Sequence, residues 1–188
     1  MPGFRTRFTE LMGVELPIVG AGTGSVASAA LAAAVTNAGG LGMTGAAGDA
    51  PEAVVARVRE IRRLTAGPIG VNVILPFQPP AALAAILEEG VEVLATGFGD
   101  PNEAIRLAHA HGAKVFHRCE TPAEASAAVR AGADVLVAQG MEPEDADEHF
   151  EFNIIGGWLG SGTPIFLHDS TFYEDLVEDT SRSTEQYE

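Results

Sequence analysis

A glycine-rich stretch follows the first apolar run of the sequence and is the segment best suited to bind an anion. Its glycines are Gly20, Gly22 and Gly24, and an Ala-rich segment begins shortly after Ser25. Glycine lets the backbone approach a ligand closely, and the amino end of a helix favours a phosphate group. The loop from Gly22 through Thr23 to Gly24 is therefore a candidate cofactor-binding site. A tight turn without a ligand is the alternative.

The stretch departs from the dinucleotide fingerprint G-x-G-x-x-G, because Ser25 stands where the third glycine belongs. No acidic residue that could bind a ribose follows the second apolar run, since Asp49 is better placed as a helix cap. A Rossmann-like nucleotide-binding protein stays open as an alternative. It predicts NAD(P) binding without flavin and a sheet that does not close.

Histidines supply the other candidates for chemistry. His117 follows an apolar run, and His149 and His168 lie in the acidic part of the chain. Their spacing fits no zinc pattern, so no metal site is predicted. The single cysteine, Cys119, excludes an internal disulfide and is expected to be a buried, unreactive thiol.

The elements that must position these residues alternate along the first 140 residues. Short apolar runs predict six strands, at Leu16–Val19, Leu41–Thr44, Ile69–Ile74, Val91–Ala95, Lys114–Phe116 and Asp134–Ala138. Ala-rich segments with helical spacing predict helices at Ala29–Asn37, Pro51–Leu64, Pro80–Glu89, Asn102–His111 and Pro122–Ala131. Because strands and helices alternate, the pattern predicts βαβ units and a parallel sheet.

Two α/β architectures use such units, an open doubly wound sheet and a (β/α)8 barrel. A full barrel usually has about 250 residues, and this chain has 188. A seventh unit is predicted at most, with Pro164–His168 as strand and Phe172–Glu178 as helix. The expected fold is therefore a set of TIM-barrel-type βα units in an incomplete or atypically closed barrel.

Charge and composition divide the chain near Gly140. Half of the 26 acidic residues follow this point, whereas all 11 basic residues except Arg182 precede it. We expect a βα portion over residues 1–140 and an acidic, aromatic-containing segment over 141–188, which could cover an open side of the sheet or bind a partner.

The net charge of −15 argues against nucleic-acid and membrane binding. No apolar run is long enough to span a membrane, and no signal peptide is evident, so a cytoplasmic location is expected.

Six segments in order resemble the nitronate monooxygenase family. They are Thr6–Ile18 (TRFTELMGVELPI), Leu31–Met43 (LAAAVTNAGGLGM), Pro68–Val73 (PIGVNV), Gly97–Pro101 (GFGDP), Ala113–His117 (AKVFH) and Ala131–Gly140 (AGADVLVAQG). The family consists of FMN enzymes on a TIM-barrel scaffold. The resemblance implies oxidation of an alkyl nitronate with O2 to a carbonyl compound and nitrite.

The resemblance also implies FMN contacts at matching positions. Asn72 matches a flavin-contacting position, Lys114 and Asp134 match positions lining the FMN site, and Gln139-Gly140 matches the loop after the sixth strand. All are expected at the carboxyl ends of strands or in the adjoining loops. Each residue also has a structural alternative. Asn72 could cap the end of a strand, Lys114 could be exposed to solvent, and Asp134 could form the turn between a helix and a strand.

The chain departs from the family pattern at its first loop and after Gly140. Gly22-Thr23-Gly24 stands in place of a Pro-Met-Gly segment, and Ala146 occupies the position of the family's catalytic histidine. His117 and His149 are left as candidates for the substrate base or anchor. These departures favour a second hypothesis, a non-catalytic homologue that acts as a binding or assembly subunit. Because the predicted sheet is not closed, self-association is also expected.

Overall fold

The computed structural model describes residues 5–23, 27–46 and 48–138, together with one strand further along the chain. The helices in these residues are α1 (Arg7–Met12), α2 (Ala29–Asn37), α3 (Pro51–Leu64), α4 (Pro80–Leu87), α5 (Asn102–Ala110) and α6 (Pro122–Ala131). The strands are β1 (Gly42–Gly45), β2 (Ile69–Ile74), β3 (Val93–Gly97), β4 (Lys114–Cys119), β5 (Val135–Ala138) and β6 (Ile165–Leu167). A short 3-10 turn, Leu75–Phe77, follows β2.

The described strands form one parallel sheet in chain order, from β1 to β6. A parallel bridge between Val19 and Leu41 extends this order ahead of β1. Helices α2 to α6 contact one another consecutively. A doubly wound sheet would instead reverse its strand order at a switch point. The described part of the chain therefore consists of barrel-type βα units, and the Rossmann-like alternative is wrong.

Helix α3 shows why these segments fold as they do. Pro51 occupies the first turn, where its missing N–H costs nothing, and basic residues occupy the last turn, where they favour the helix dipole. Val54, Val58 and Ile61 recur at helical spacing and are fully buried against the sheet. The other face carries Arg59, which pairs with Glu89 of the next unit at 2.7 Å.

The sheet has an apolar core on each face. Between the sheet and the helices lies a large cluster of Val, Ile, Leu and Ala side chains. A second cluster on the opposite face brings α1 against the sheet, through Phe8 and Met12. The rings of Phe8 and Phe116 meet edge to face with centroids 6.1 Å apart. Because this cluster includes Val93 and Val135, which begin their strands, α1 covers the amino end of the inner face.

Most of the predicted elements are confirmed, with changes at their ends. The second to sixth predicted strands and the five predicted helices are present, and Ile165–Leu167 lies within the predicted seventh strand. The first predicted strand, Leu16–Val19, is reduced to the single bridge at Val19. Helix α1 was not predicted, because its six residues are too few for helical periodicity to show. The predicted helix at Phe172–Glu178 lies outside the described residues.

No helix among the described residues is both long enough and apolar enough to cross a membrane.

We predict that Gly42→Ala strongly destabilises the fold. A Cβ at this position would overlap the carbonyl oxygen of Ala32 and lie 2.6 Å from the Thr36 hydroxyl, which accepts a hydrogen bond from the Gly42 N–H. Overpacking at this contact between α2 and β1 should lower the free energy of unfolding by about 3 kcal/mol in urea titrations.

The matched control is Gly112→Ala, at a left-handed position with open space around the missing Cβ. Its cost should be limited to the backbone strain, about 1 kcal/mol. Equal losses in the two variants would contradict the close approach of α2 to β1.

Candidate functional site

A cavity of about 740 Å³ opens at the carboxyl ends of β1 to β5, largely on the sheet face that is turned away from the helices. Its wall includes Gly22, Asn72, Ile74, Ala95, Gly97, Phe98, Phe116, Arg118 and Val137. In barrels of βα units, ligands bind at the carboxyl ends of the strands. Since α1 fills the amino end of the same face, this cavity is the candidate functional site.

Small residues on β3 make room for the cavity. Ala95 pairs in register with Asn72 on one side and Phe116 on the other, so a larger side chain there would fill the space between them. Gly97 lies beside Arg118, because a Cβ built on Gly97 would come within 3.3 Å of the Arg118 Cβ. Asn72 of β2 and Arg118 of β4 therefore line the same cavity.

Asn72 holds the glycine loop against the end of β2. Its Nδ2 donates a hydrogen bond to the carbonyl oxygen of Gly22 at 3.3 Å. A Cβ on Gly22 would lie 2.6 Å from the Asn72 Cβ and 2.9 Å from the Thr44 carbonyl oxygen, so the loop can approach this closely only with glycine. Gly22 and Asn72 are thus brought together, as the prediction of a shared site requires.

Arg118 is the only side chain with a formal charge in the described wall of the cavity. Its Nη2 pairs with Glu120 at 2.5 Å, and its guanidinium carbon lies 4.2 Å from the centre of the Phe98 ring. Its Nε is buried and has no hydrogen-bond partner among the described residues. A buried donor without a partner is costly, so the described residues alone leave this guanidinium with an unsatisfied N–H.

Two side chains fix the β1–α3 loop beside the cavity. The buried Gln78 donates from Nε2 to the carbonyl oxygens of Ala46, at 2.8 Å, and Asp49, at 3.3 Å. Arg57 bonds to the Gly45 carbonyl oxygen and pairs with the Asp49 carboxylate at 2.5 Å. The carboxyl-end loops of the first units are therefore tied to one another by side chains rather than by backbone pairing alone.

Lys114 and Asp134 are at the other end of the sheet, so the expectation that they lie at carboxyl ends is wrong. Lys114 is the first residue of β4, and Asp134 stands directly before β5. Asp134 accepts a hydrogen bond from the Val115 N–H at 2.8 Å and lies 2.9 Å from the His109 Nε2. It joins the end of α5 to β4, which is the turn role that the sequence left open.

His117 lies in β4 but does not line the cavity, so the structure gives it no direct catalytic contact there. It is buried on the helix side of the sheet, where its Nδ1 is 2.8 Å from the Thr96 Oγ1. Burial lowers the pKa of His117, and the carboxylates of Glu124 and Asp100 oppose that shift only in part.

The other predicted site residues lie either away from the cavity wall or outside the described residues. Thr23 is exposed and is not part of the cavity wall. Gly24, Gln139, Gly140 and His149 lie outside the described residues.

Cys119 is buried, as expected, and burial raises the pKa of its thiol to about 11, so it stays protonated near neutral pH. No group of three or more potential metal ligands occurs among the His, Cys, Asp and Glu residues that the structure describes.

Arg118 and Phe98 were missed by sequence reasoning. The fifth predicted strand ended at Phe116, whereas β4 continues to Cys119. Side chains alternate between the faces of a strand, so the inward position of Phe116 would have placed Arg118 on the same face. Phe98 could not be found in this way, because it follows β3 in a loop with a left-handed backbone.

We predict that His117 makes the stability of the protein depend on pH below neutrality. The unfolded chain takes up a proton near the ordinary pKa of 6.5, whereas the folded chain resists protonation because the imidazole is buried. The stability is therefore complete above this pH and falls as the pH drops toward the lower folded pKa, by at most about 1.4 kcal/mol per unit.

Urea titrations of the wild type and His117→Gln between about pH 7.5 and pH 5 test this sign, since the variant lacks the titrating group. The wild type should lose more stability than the variant as the pH falls. Parallel pH profiles would contradict the assignment.

Comparisons with known proteins agree with the fold and identify the family. The sequence profile of the family described as nitronate monooxygenase matches residues 5–84. The nitronate monooxygenase of Pseudomonas aeruginosa is 34% identical over 176 aligned positions, which cover 72% of this chain and 50% of that protein.

Two solved structures are similar to the described fold. FabK from Thermotoga maritima has a TM-score of 0.68 and 37% identity, over 72% of this chain and 44% of the other. The nitroalkane oxidase of Streptomyces ansochromogenes has a TM-score of 0.64 and 31% identity, over 76% of this chain and 54% of the other.

The chain spans about half the length of these relatives. The profile match, the identity to a nitronate monooxygenase and the shared barrel-type units lead to the same conclusion: the chain belongs to the nitronate monooxygenase family of oxidoreductases.

Proposed function

We propose that the cavity at the carboxyl ends of β1 to β5 binds FMN, and that the protein oxidises alkyl nitronates with O2 to a carbonyl compound and nitrite. The observation that carries the proposal is Arg118, the single charged side chain in the described wall of this cavity, whose buried Nε has no hydrogen-bond partner among the described residues. Enzymes of this family and the FabK neighbours are generally flavin-dependent, which supports FMN as the cofactor.

The residues of the cavity fit such a cofactor. An asparagine amide has two donor hydrogens and an acceptor oxygen, and the hydrogen bond from Asn72 to Gly22 uses only one donor. Asn72 can therefore bind the donor and acceptor edge of an isoalloxazine, and Arg118 can offer a positive charge. The glycine loop brings backbone, without side chains, to the same wall.

FMN, when bound, supplies the capacity to accept electrons from an organic anion and pass them to O2. The chain's own contribution is electrostatic and steric. Arg118 would offer a positive charge that favours an anionic, reduced cofactor, and the apolar side chains of Val137 and Ile74 would reduce the contact of the cofactor with water.

The wall also favours a nitronate over a neutral nitroalkane as the substrate. Oxidation of a nitroalkane requires a base to remove a proton from carbon, whereas a nitronate has already lost that proton. No carboxylate and no imidazole lines the described part of the cavity. His149 stays a prediction as substrate base or anchor, and so do Gly24, Gln139 and Gly140 as cofactor contacts. The cytoplasmic location and the self-association expected from the sequence also stay predictions.

We predict that Arg118→Met weakens FMN binding tenfold or more, because a hydrogen bond to a charged group contributes about 1.5–3 kcal/mol. Quenching of FMN fluorescence gives the dissociation constant, and turnover of an alkyl nitronate is measured in the same samples. The matched control is Lys114→Met, which removes the other cation of β4 at the amino end.

Lys114→Met should bind FMN like the wild type. Equal losses in the two variants would contradict the placement of the cofactor at the carboxyl end. A folded wild type that binds no FMN would overturn the proposal and favour a non-catalytic binding or assembly subunit.

A further inference from the structure

The loop after β3 holds a phenylalanine in an unusual position. Phe98 has φ +61°, and it is the only residue other than glycine with a positive φ in the described part of the chain. A bulky side chain rarely adopts this left-handed conformation, and such strain persists only where the surroundings impose it. The contacts of the Phe98 side chain should therefore account for this conformation.

The ring of Phe98 contacts Arg118. The guanidinium carbon lies 4.2 Å from the ring centre, which is close enough for a favourable cation–π interaction. Gly99, with φ +151°, follows directly and lies close to Leu75 of the neighbouring unit. The ring thus packs against the cation of β4, and the residue after it lies beside the turn that follows β2.

Much of Phe98 is left uncovered by the described part of the chain. Phe98 lines the cavity although it is 54% exposed. Ile74 pairs in register with Gly97, so the apolar end of β2 lies beside the residue that precedes Phe98. In the described residues, the mouth of the cavity therefore combines an apolar wall from two neighbouring units with one cation, Arg118.

We propose that Phe98 is a specificity-determining residue that receives the alkyl group of the substrate, so that the enzyme prefers nitronates with longer alkyl chains. The inference rests on the proposed function and deepens it. An anion with an alkyl tail matches a mouth where a cation lies next to exposed apolar surface. The exposed half of the ring gains favourable burial only when an apolar group covers it.

The test compares ethyl, butyl and hexyl nitronates as substrates of the FMN-loaded protein. Each added methylene that the ring covers should raise kcat/KM about threefold to fourfold in the wild type. Phe98→Asn keeps a residue that tolerates the left-handed backbone but removes the apolar surface, and it should flatten this dependence. Phe98→Leu should retain most of it.

Phe77→Asn is the matched control, because Phe77 is 63% exposed in the neighbouring turn and does not line the cavity. Phe77→Asn should show the same dependence of kcat/KM on alkyl-chain length as the wild type. FMN affinity is measured for each variant and should change less than about twofold, well below the tenfold effect of losing a charged hydrogen bond. If Phe98→Asn weakens FMN binding as much as Arg118→Met does, Phe98 positions Arg118 and the proposal is overturned.

A second measurement separates this proposal from the proposed function. Alkyl carboxylates have the charge and shape of nitronates but are not oxidised, and their binding can be followed by calorimetry. Tighter binding with longer chains in the wild type but not in Phe98→Asn would support the apolar contact even if no nitronate were turned over. A wild type that shows no dependence on chain length, in turnover or in binding, would overturn it.

Discussion

The parallel, consecutive pairing of the strands is the constraint on which the rest of the structure depends. Because each strand pairs with the next one along the chain, every carboxyl end meets the same edge of the sheet. Residues as far apart in sequence as Gly22, Asn72 and Arg118 therefore line one cavity. Helix α1 completes the arrangement, since the contact of Phe8 with Phe116 fills the amino end of the same face, and in the described residues the cavity lies at the carboxyl end.

The polar groups at the two ends of the sheet differ in their contacts. At the amino end, Glu92 accepts hydrogen bonds from Arg62 and from the Ile69 N–H at 2.8 Å, and Asp134 joins α5 to β4. These polar groups satisfy one another and hold the units together. At the carboxyl end, the Nε of Arg118 has no partner among the described residues. Paired polar groups are typical of the structural end, whereas the end that can bind a ligand has the cavity with Arg118 in its wall.

Sequence reasoning was most reliable where a local signal fixes the structure. Helix α3 was placed to the residue, because Pro51 begins it and Val54, Val58 and Ile61 repeat at helical spacing. Reasoning from the family resemblance placed Asn72 in the cavity but put Lys114 and Asp134 at the wrong end. Strand direction alone would have corrected both, since each stands where its strand begins. The packing of Phe98 on Arg118 joins a residue of the loop after β3 to a residue of β4, and no local pattern encodes it.

Amide hydrogen exchange, measured by mass spectrometry with and without FMN, tests most directly whether the carboxyl-end cavity is the cofactor site. The account predicts slower exchange in the loops at that end, around residues 20–23, 74–78 and 97–100. Exchange at the amino end, around residues 88–92 and 110–114, should not change. Protection at the amino end, or none in either place, would contradict the account.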